Sequence, residues 1–277
     1  MNSIEHGTAR PWQPAPAVLV TAVLHAAGLV LLVAHPSLWA WVLGGLAANH
    51  GVLAAASLWP RGRLLGPNLV RLPDAAAARA EVSLNFDDGP DPEVTPRVLD
   101  LLDRYRARAS FFCIGAIAEA HPEIVREIVR RGHSVENHSY HHRHTFALHG
   151  LGGLRRQVQG AQSAIARIAG QTPRFFRAPA GFRNPLLDPV VTRCGLQYVS
   201  WTRRGFDTVR RDPDAVLRRL TRNLRAGDIL LLHDGASART IGGEPVVLAV
   251  LPRLLARLEH EGLRSVSLPA AWDGSGR

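Results

Sequence analysis

EVSLNFDDGPDPEVTPRVLDLLDRYRARASFFCI, residues 81–114, decides the fold. VSLNF (82–86) and ASFFCI (109–114) are short apolar-rich runs bounded by turn and charged residues, and each reads as a strand. Between them, VTPRVLDLLDRY (94–105) repeats Val94, Val98, Leu101 and Leu102 at helical spacing. A strand, a helix and a second strand in this order argue for parallel strands covered by the helix that joins them.

The pattern continues outward. SVEN (134–137), FFRA (175–178), QYVS (197–200), DILLL (228–232) and RSVSL (264–268) read as further strands. HPEIVREIVRRG (121–132), LRRQVQGAQSAIARIAG (154–170), DPDAVLRRLTRNLRAG (212–227) and VVLAVLPRLLARLEHEG (246–262) read as helices, the first with Pro in its opening turn and Gly at its end. From about residue 81 to 277 this is one α/β domain, a parallel sheet or barrel of about seven strands. In such folds reactive groups collect at the C-terminal ends of the strands.

Upstream the composition changes. Residues 15–35 and 37–59 carry no Asp, Glu, Lys or Arg, and each is near the roughly 20 residues that cross a hydrocarbon core. Pro36 lies between them, and Trp12, Trp39, Trp41 and Trp59 fall near their ends, where interfacial anchors belong. Residues 1–60 therefore read as a two-helix transmembrane hairpin, and the Pro-, Gly-, Arg- and Ala-rich stretch 61–80 as a linker. Arg10 precedes the first helix, Arg61, Arg63 and Arg71 follow the second, and the connection at Pro36 has no Arg. Positive residues favour the cytoplasmic side. This predicts a multi-pass protein of a bacterial inner membrane with its C-terminal α/β domain in the cytoplasm, a periplasmic domain being the alternative.

Composition narrows the function. The chain has 277 residues, a hydrophobic fraction of 46% and a net charge of +10, with no Lys, so all 33 basic residues are Arg. That excludes a disordered or collagen-like chain and implies attraction to something anionic, such as membrane lipid or phosphate. No aromatic-basic motif or recognition helix points to specific nucleic-acid binding. Cys113 and Cys194 are too few for a disulfide framework or a four-thiolate zinc site.

Chemistry-bearing residues fall where the strands end. Asp87 and Asp88 close the first strand on a turn, where one can hold a metal and the other act as base. Seven of the 13 His lie between 121 and 149. His138 and His142, four apart, can reach one ion. RAPAGFR (177–183) places Arg177 to grip a carboxylate and a Pro-Ala-Gly turn to aim a backbone N–H at a developing oxyanion. His233 follows ILLL and can donate a proton near neutral pH. In WTRRGFDT (201–208), Asp207 can orient a His, and Arg203 and Arg204 can meet an anionic substrate group or solvent.

Taken together over about residues 80–268, these motifs resemble the NodB-homology polysaccharide deacetylase family, carbohydrate esterase family 4. Asn85-Phe86-Asp87-Asp88-Gly89-Pro90 resembles the family's Thr-Phe-Asp-Asp-Gly-Pro, which implies Asp87 as base and Asp88 as metal ligand. His138-Ser139-Tyr140-His141-His142 is similar to its His-Ser/Thr-x-x-His and implies His138 and His142 as the other ligands. Arg177-Ala178-Pro179 resembles its Arg-x-Pro, with Arg177 holding Asp87. Ala180 stands where the family has Tyr and keeps the backbone N–H that binds the oxyanion. Leu231-Leu232-His233 resembles Leu-x-His, giving a pocket-lining Leu231 and the acid His233. The family's Asp-Trp region matches poorly; Trp201 and Asp207 are its candidates.

The resemblance implies a distorted (β/α) barrel and removal of an acetyl or formyl group from an amino sugar. The expected cofactor is a divalent ion, zinc first, with cobalt, nickel or manganese also suited. The expected partners are membrane lipid and an N-acylated amino-sugar glycan or a sugar on a polyprenyl phosphate. The alternatives are a catalytically silent, membrane-anchored glycan-binding protein on the same fold, and a phosphate-ester hydrolase.

Overall fold

The computed structural model describes residues 12–274; Arg10, used above for orientation, and Arg277 lie outside them. Helices α1 (Pro16–Ala34) and α2 (Trp39–Ser57) flank a 3-10 turn at Pro36–Leu38. They are followed by α3 (Asp74–Ala78), β1 (Glu81–Asp87), α4 (Val94–Arg104), β2 (Ala109–Cys113), α5 (Gly115–Ala120), α6 (Pro122–Arg130) and β3 (Ser134–Asn137). Next come α7 (Leu151–Ala169), β4 (Phe175–Phe176), α8 (Leu187–Arg193), β5 (Gln197–Tyr198), β6 (Arg203–Arg204) and α9 (Pro213–Thr221). The chain continues through β7 (Ile229–His233), α10 (Val246–His260), β8 (Arg264–Ser265) and α11 (Leu268–Asp273).

Seven parallel strands lie side by side in the order β5-β4-β3-β2-β1-β7-β6, and β8 joins the start of β1. The sheet curls so that β5 and β6, consecutive in sequence, form its two edges, which is the distorted barrel expected, left incompletely closed. Strand β6, an Arg-Arg pair with no apolar alternation, takes the seventh place. The expected strand at 264–268 is the short β8 off the main path. The helix expected over 212–227 stops at Thr221, because Arg222 is extended and Asn223 turns left-handed at φ 54°.

Alternation along the central strands decides what faces the barrel. Val82, Leu84 and Phe86 of β1, Ala109, Phe111 and Cys113 of β2, and Leu230 and Leu232 of β7 join the outer core beneath α4, α6 and α10. The opposite parity faces inward. There Phe112, Ile229 and Leu231 form a second core with Leu72, Ala76 and Trp201, while β1 contributes the polar row Ser83, Asn85 and Asp87. Every residue of β1 is buried, as a strand covered on both faces must be.

The N-terminal helices pack on each other. Asn49 donates to Thr21 Oγ1 at 3.0 Å, and the rings of His25 and His50 lie 5.2 Å apart. A Cβ on Gly28 would come within 2.9 Å of Val42, so this approach requires glycine. Both helices are long and apolar enough to cross a membrane, and their outer faces leave Val33 77% and Trp41 82% exposed.

Where α2 ends, the chain is fastened to the barrel rim. Arg183 N donates to Ser57 O at 3.2 Å, and Ser200 Oγ to Pro60 O at 2.5 Å. The Arg183 guanidinium reaches Gly62 O at 2.7 Å, and Trp12 Nε1 reaches Asp188 on α8 at 2.9 Å. Leu65, Leu72 and Ala76, in the stretch read as linker, are buried.

Candidate active site

The parallel register brings the predicted residues to one end of the barrel. Asp87, the last residue of β1, pairs in register with His233, the last of β7, so the two carry inward side chains on neighbouring strands. His138 follows β3, and the turn after it is built by its own polar groups. Ser139 N donates to Asn137 Oδ1 at 3.0 Å, and His142 N to Ser139 Oγ at 3.2 Å. Asn137 is held by its side-chain bonds to Val158 O and Gln162 of α7. Ser139 and His142 are both left-handed, at φ 66° and 50°, which folds His142 back so that its ring centroid lies 4.7 Å from that of His138.

Asp88 Oδ1 lies 3.2 Å from His138 Nε2 and 3.1 Å from His142 Nε2. The backbone carbonyl of Arg177 accepts from His138 Nδ1 at 2.8 Å, which places the proton on Nδ1 and leaves the Nε2 lone pair facing Asp88. Asp88 Oδ1 is itself buried with no hydrogen-bond donor. A carboxylate oxygen without a donor, close to the Nε2 atoms of two imidazoles, is the arrangement a divalent cation would satisfy, and the three residues fit that role. Burial raises the Asp88 carboxyl, but the neighbouring His138, His233 and His142 outweigh it and hold it well below the ordinary range. Burial next to His138 lowers His142 to about 4.

Arg177 is wholly buried under the site. It donates to Asp87 Oδ1 at 2.6 Å, Asn85 Oδ1 at 2.7 Å and Ser200 O at 3.0 Å, and stacks 3.9 Å above the Phe112 ring. That leaves Asp87 Oδ2 pointing 3.7 Å from His138 Nε2. Across the site, Asp207 accepts from His233 Nδ1 at 2.9 Å and from His233 N at 2.8 Å. Burial lowers the His233 pKa, but the charge and hydrogen bond of Asp207 more than reverse this and push it up to about 9. Ala180, inside Pro179–Gly181, is left-handed at φ 54°, a costly setting for a residue with a Cβ.

A cavity of about 810 Å³ unites these groups. Asp87, Asp88, His138, His142, Ala180, Trp201, Leu231 and His233 line it, with Arg177 and Asp207 behind its wall. Two supporting residues have roles that the motifs do not assign. Asn85, two residues before Asp87 on the same strand face, was findable from alternation. Asp234 was not: Thr95 donates to its Oδ2 at 2.6 Å and burial pushes it up to about 7. Its carboxylate abuts Gly89, where a Cβ would come within 2.3 Å, and a Cβ on Gly235 would overlap Asp88 O at 2.1 Å. Both glycines are required by this close approach.

Comparison with known proteins follows the same geometry. The family model described as polysaccharide deacetylase matches residues 74–199. A peptidoglycan-N-acetylglucosamine deacetylase of Bacillus cereus is 31% identical over 190 residues, covering 68% of this chain and 85% of that protein. A chitooligosaccharide deacetylase of Sinorhizobium fredii is 34% identical over 204 residues, covering 72% of this chain and 94% of that protein. Among solved structures, a family 4 carbohydrate esterase from Streptomyces lividans in complex with acetate superposes with a TM-score of 0.60 at 34% identity, covering 67% of this chain and 91% of that one.

Proposed function

The chain belongs to the polysaccharide deacetylase family of hydrolases, carbohydrate esterase family 4, and on that premise we propose that it removes an N-acyl group, acetyl or formyl, from an amino sugar with the help of a divalent ion. The observation that carries the reading is the meeting of Asp88, His138 and His142 beside an arginine-held Asp87 in one cavity.

Asp88, His138 and His142 would hold the ion, zinc by first choice; cobalt, nickel and manganese suit one carboxylate and two imidazoles as well. When bound, such an ion acidifies a coordinated water and polarises a carbonyl. Asp87 Oδ2 takes a proton from the water as its oxygen adds to the amide carbon. Arg177 keeps Asp87 aimed through its hydrogen bond to Oδ1. The Ala180 N–H donates to the amide oxygen as it becomes negative, a contact of a kind worth about 3–4 kcal/mol. His233, braced by Asp207, gives its Nε2 proton to the departing nitrogen. The C–N bond breaks, leaving acetate or formate and the free amine.

We place α1 and α2 in a bacterial inner membrane with the barrel on the cytoplasmic side, because Arg61, Arg63 and Arg71 follow α2 while the turn between the helices has no Arg. The substrate is then an N-acylated amino sugar within reach of the membrane, on a polyprenyl phosphate rather than in a finished wall polymer. A reporter fused after Arg277 that works on one side only tests the orientation; a periplasmic signal would redirect the search to assembled glycans.

The test of chemistry is acetate release from N-acetylchitotetraose by the full chain. Activity is expected to vanish on chelation and return with zinc, and Asp88→Ala should lose both metal and activity. Undiminished release after complete metal removal would refute the reading.

A further inference from the structure

Beside the catalytic cavity lies a second one of about 660 Å³, and Ala180, Trp201 and Arg204 wall both. Its lining contains no carboxylate. One wall is cationic. Arg204 sits between the Trp201 and Phe206 rings at 5.2 and 4.9 Å, with a buried Nε that has no hydrogen-bond partner. Arg219 covers the other side of the same wall, 4.7 Å from Phe206, and Arg61 and Arg222 complete it. Among the described residues none of these four is in a salt bridge, whereas Arg203 beside them is tied to Asp228. The opposite wall is apolar, and begins where α2 ends: Leu58 and Trp59 are 63% and 65% exposed.

Four unneutralised guanidinium groups facing one groove select a polyanion, and Arg is the side chain best matched to phosphate. An apolar wall leading to a membrane-length helix selects a hydrocarbon chain. Ala180, Trp201 and Arg204 line both cavities, so the groove lies directly against the catalytic one. We propose that the second cavity binds the phosphate of a lipid-linked amino sugar, with the hydrocarbon chain leaving along α2 and the sugar passing Ala180 toward Asp88, His138 and His142. The sugar end of this assignment rests on the deacetylase reading; the phosphate end rests on the groove alone.

The source of the phosphate, lipid or free, is separable. Farnesyl phosphate, farnesol and inorganic phosphate are titrated by calorimetry into the zinc-loaded full chain in phosphatidylcholine nanodiscs. Farnesyl phosphate is expected to bind more than about tenfold tighter than inorganic phosphate, and farnesol weakly. Arg219→Gln/Arg222→Gln, and separately Arg219→Gln, are expected to raise the farnesyl phosphate Kd, by about tenfold or more for the pair, the size of losing one charge-assisted hydrogen bond. Arg155→Gln/Arg156→Gln, which removes the same charge from exposed positions on α7, should leave it unchanged. An unchanged Kd in the groove variants, or an equal loss in both pairs, overturns the site. Inorganic phosphate binding as tightly as farnesyl phosphate overturns the lipid source. Acetate release from N-acetylchitotetraose by the unaltered chain is scored separately, and release undiminished by complete metal removal would sink the deacetylase reading while leaving this titration standing.

Discussion

Arg177 beneath the catalytic cavity and Arg204 between the two cavities differ in every partner. Arg177 is fully buried, and its donors go to Asp87, Asn85 and Ser200. Arg204 is partly buried, held by two aromatic faces and by no carboxylate. The difference teaches what each cavity is built to do. Where every charge is already matched inside the protein, the result is a fixed geometry in which a carboxylate is aimed but not consumed. Where charges are clustered and left unmatched, the fold has kept a standing attraction for an anion.

The sharpest way to break the comparison is at the carboxylate Arg177 serves. Asp87→Asn should retain the metal, measured by elemental analysis, yet lose about 10²–10⁴-fold in acetate release, the usual range for a positioned proton acceptor. Near wild-type turnover would show that the matched charges serve only folding.

Next in size is Arg177→Met, which leaves the Asp87 carboxylate buried without its counter-charge. It should cost about 3–5 kcal/mol in denaturant unfolding, and pairing it with Asp87→Asn should cost less than the sum.

Asp207→Asn probes the opposite wall. Because Asp207 raises His233 to about 9, above its unfolded value of about 6.5, this pair stabilises the fold fully below pH about 6.5. The contribution is lost as pH rises through about 9. A divalent ion in the site would draw that upper limit down. The variant should therefore lose stability most at neutral and lower pH. The alkaline limb of its rate profile should move to lower pH, with activity at pH 8 down by about tenfold or more. An unmoved alkaline limb would remove His233 as the acid.

Smallest is Arg204→Met. With no ion pair to break and only cation–π contact to lose, it should change stability by about 1 kcal/mol or less. A loss as large as that of Arg177→Met would erase the distinction between the two cavities.

Legibility in the sequence followed the same division. Residues 81–114 already carried the parallel crossover, because its strands are apolar and its helix strictly periodic. Asp87, Asp88, His138 and His233 stood out because each abuts a strand end, and the parallel register does the rest. The second cavity was only half visible. Arg203 and Arg204 were noticed, but nothing local tells that one is tied to Asp228 while the other is not. Nothing in 212–227 singles out Arg219 and Arg222 from Arg218 and Arg225 until the curl of the sheet lays α9 beside Trp201. The two-residue strand β6 has no periodicity to detect, and the Asp234–Thr95 bond spans 139 residues.

The fastening of the α2 exit to the barrel rim has a mechanical consequence. Ser57, Pro60 and Gly62 are bonded to Arg183 and Ser200, and Pro60 abuts Gly181 in the turn that carries Ala180. A slack tether lets an anchored enzyme sweep a volume and reach whatever is nearby. This one has no slack, so the mouth of the cavity keeps one height and one heading relative to the helix. On the membrane placement proposed above, the chain would work as a depth gauge: a bond would be cut only where its carrier holds it at that elevation, so that reach selects substrate before chemistry does.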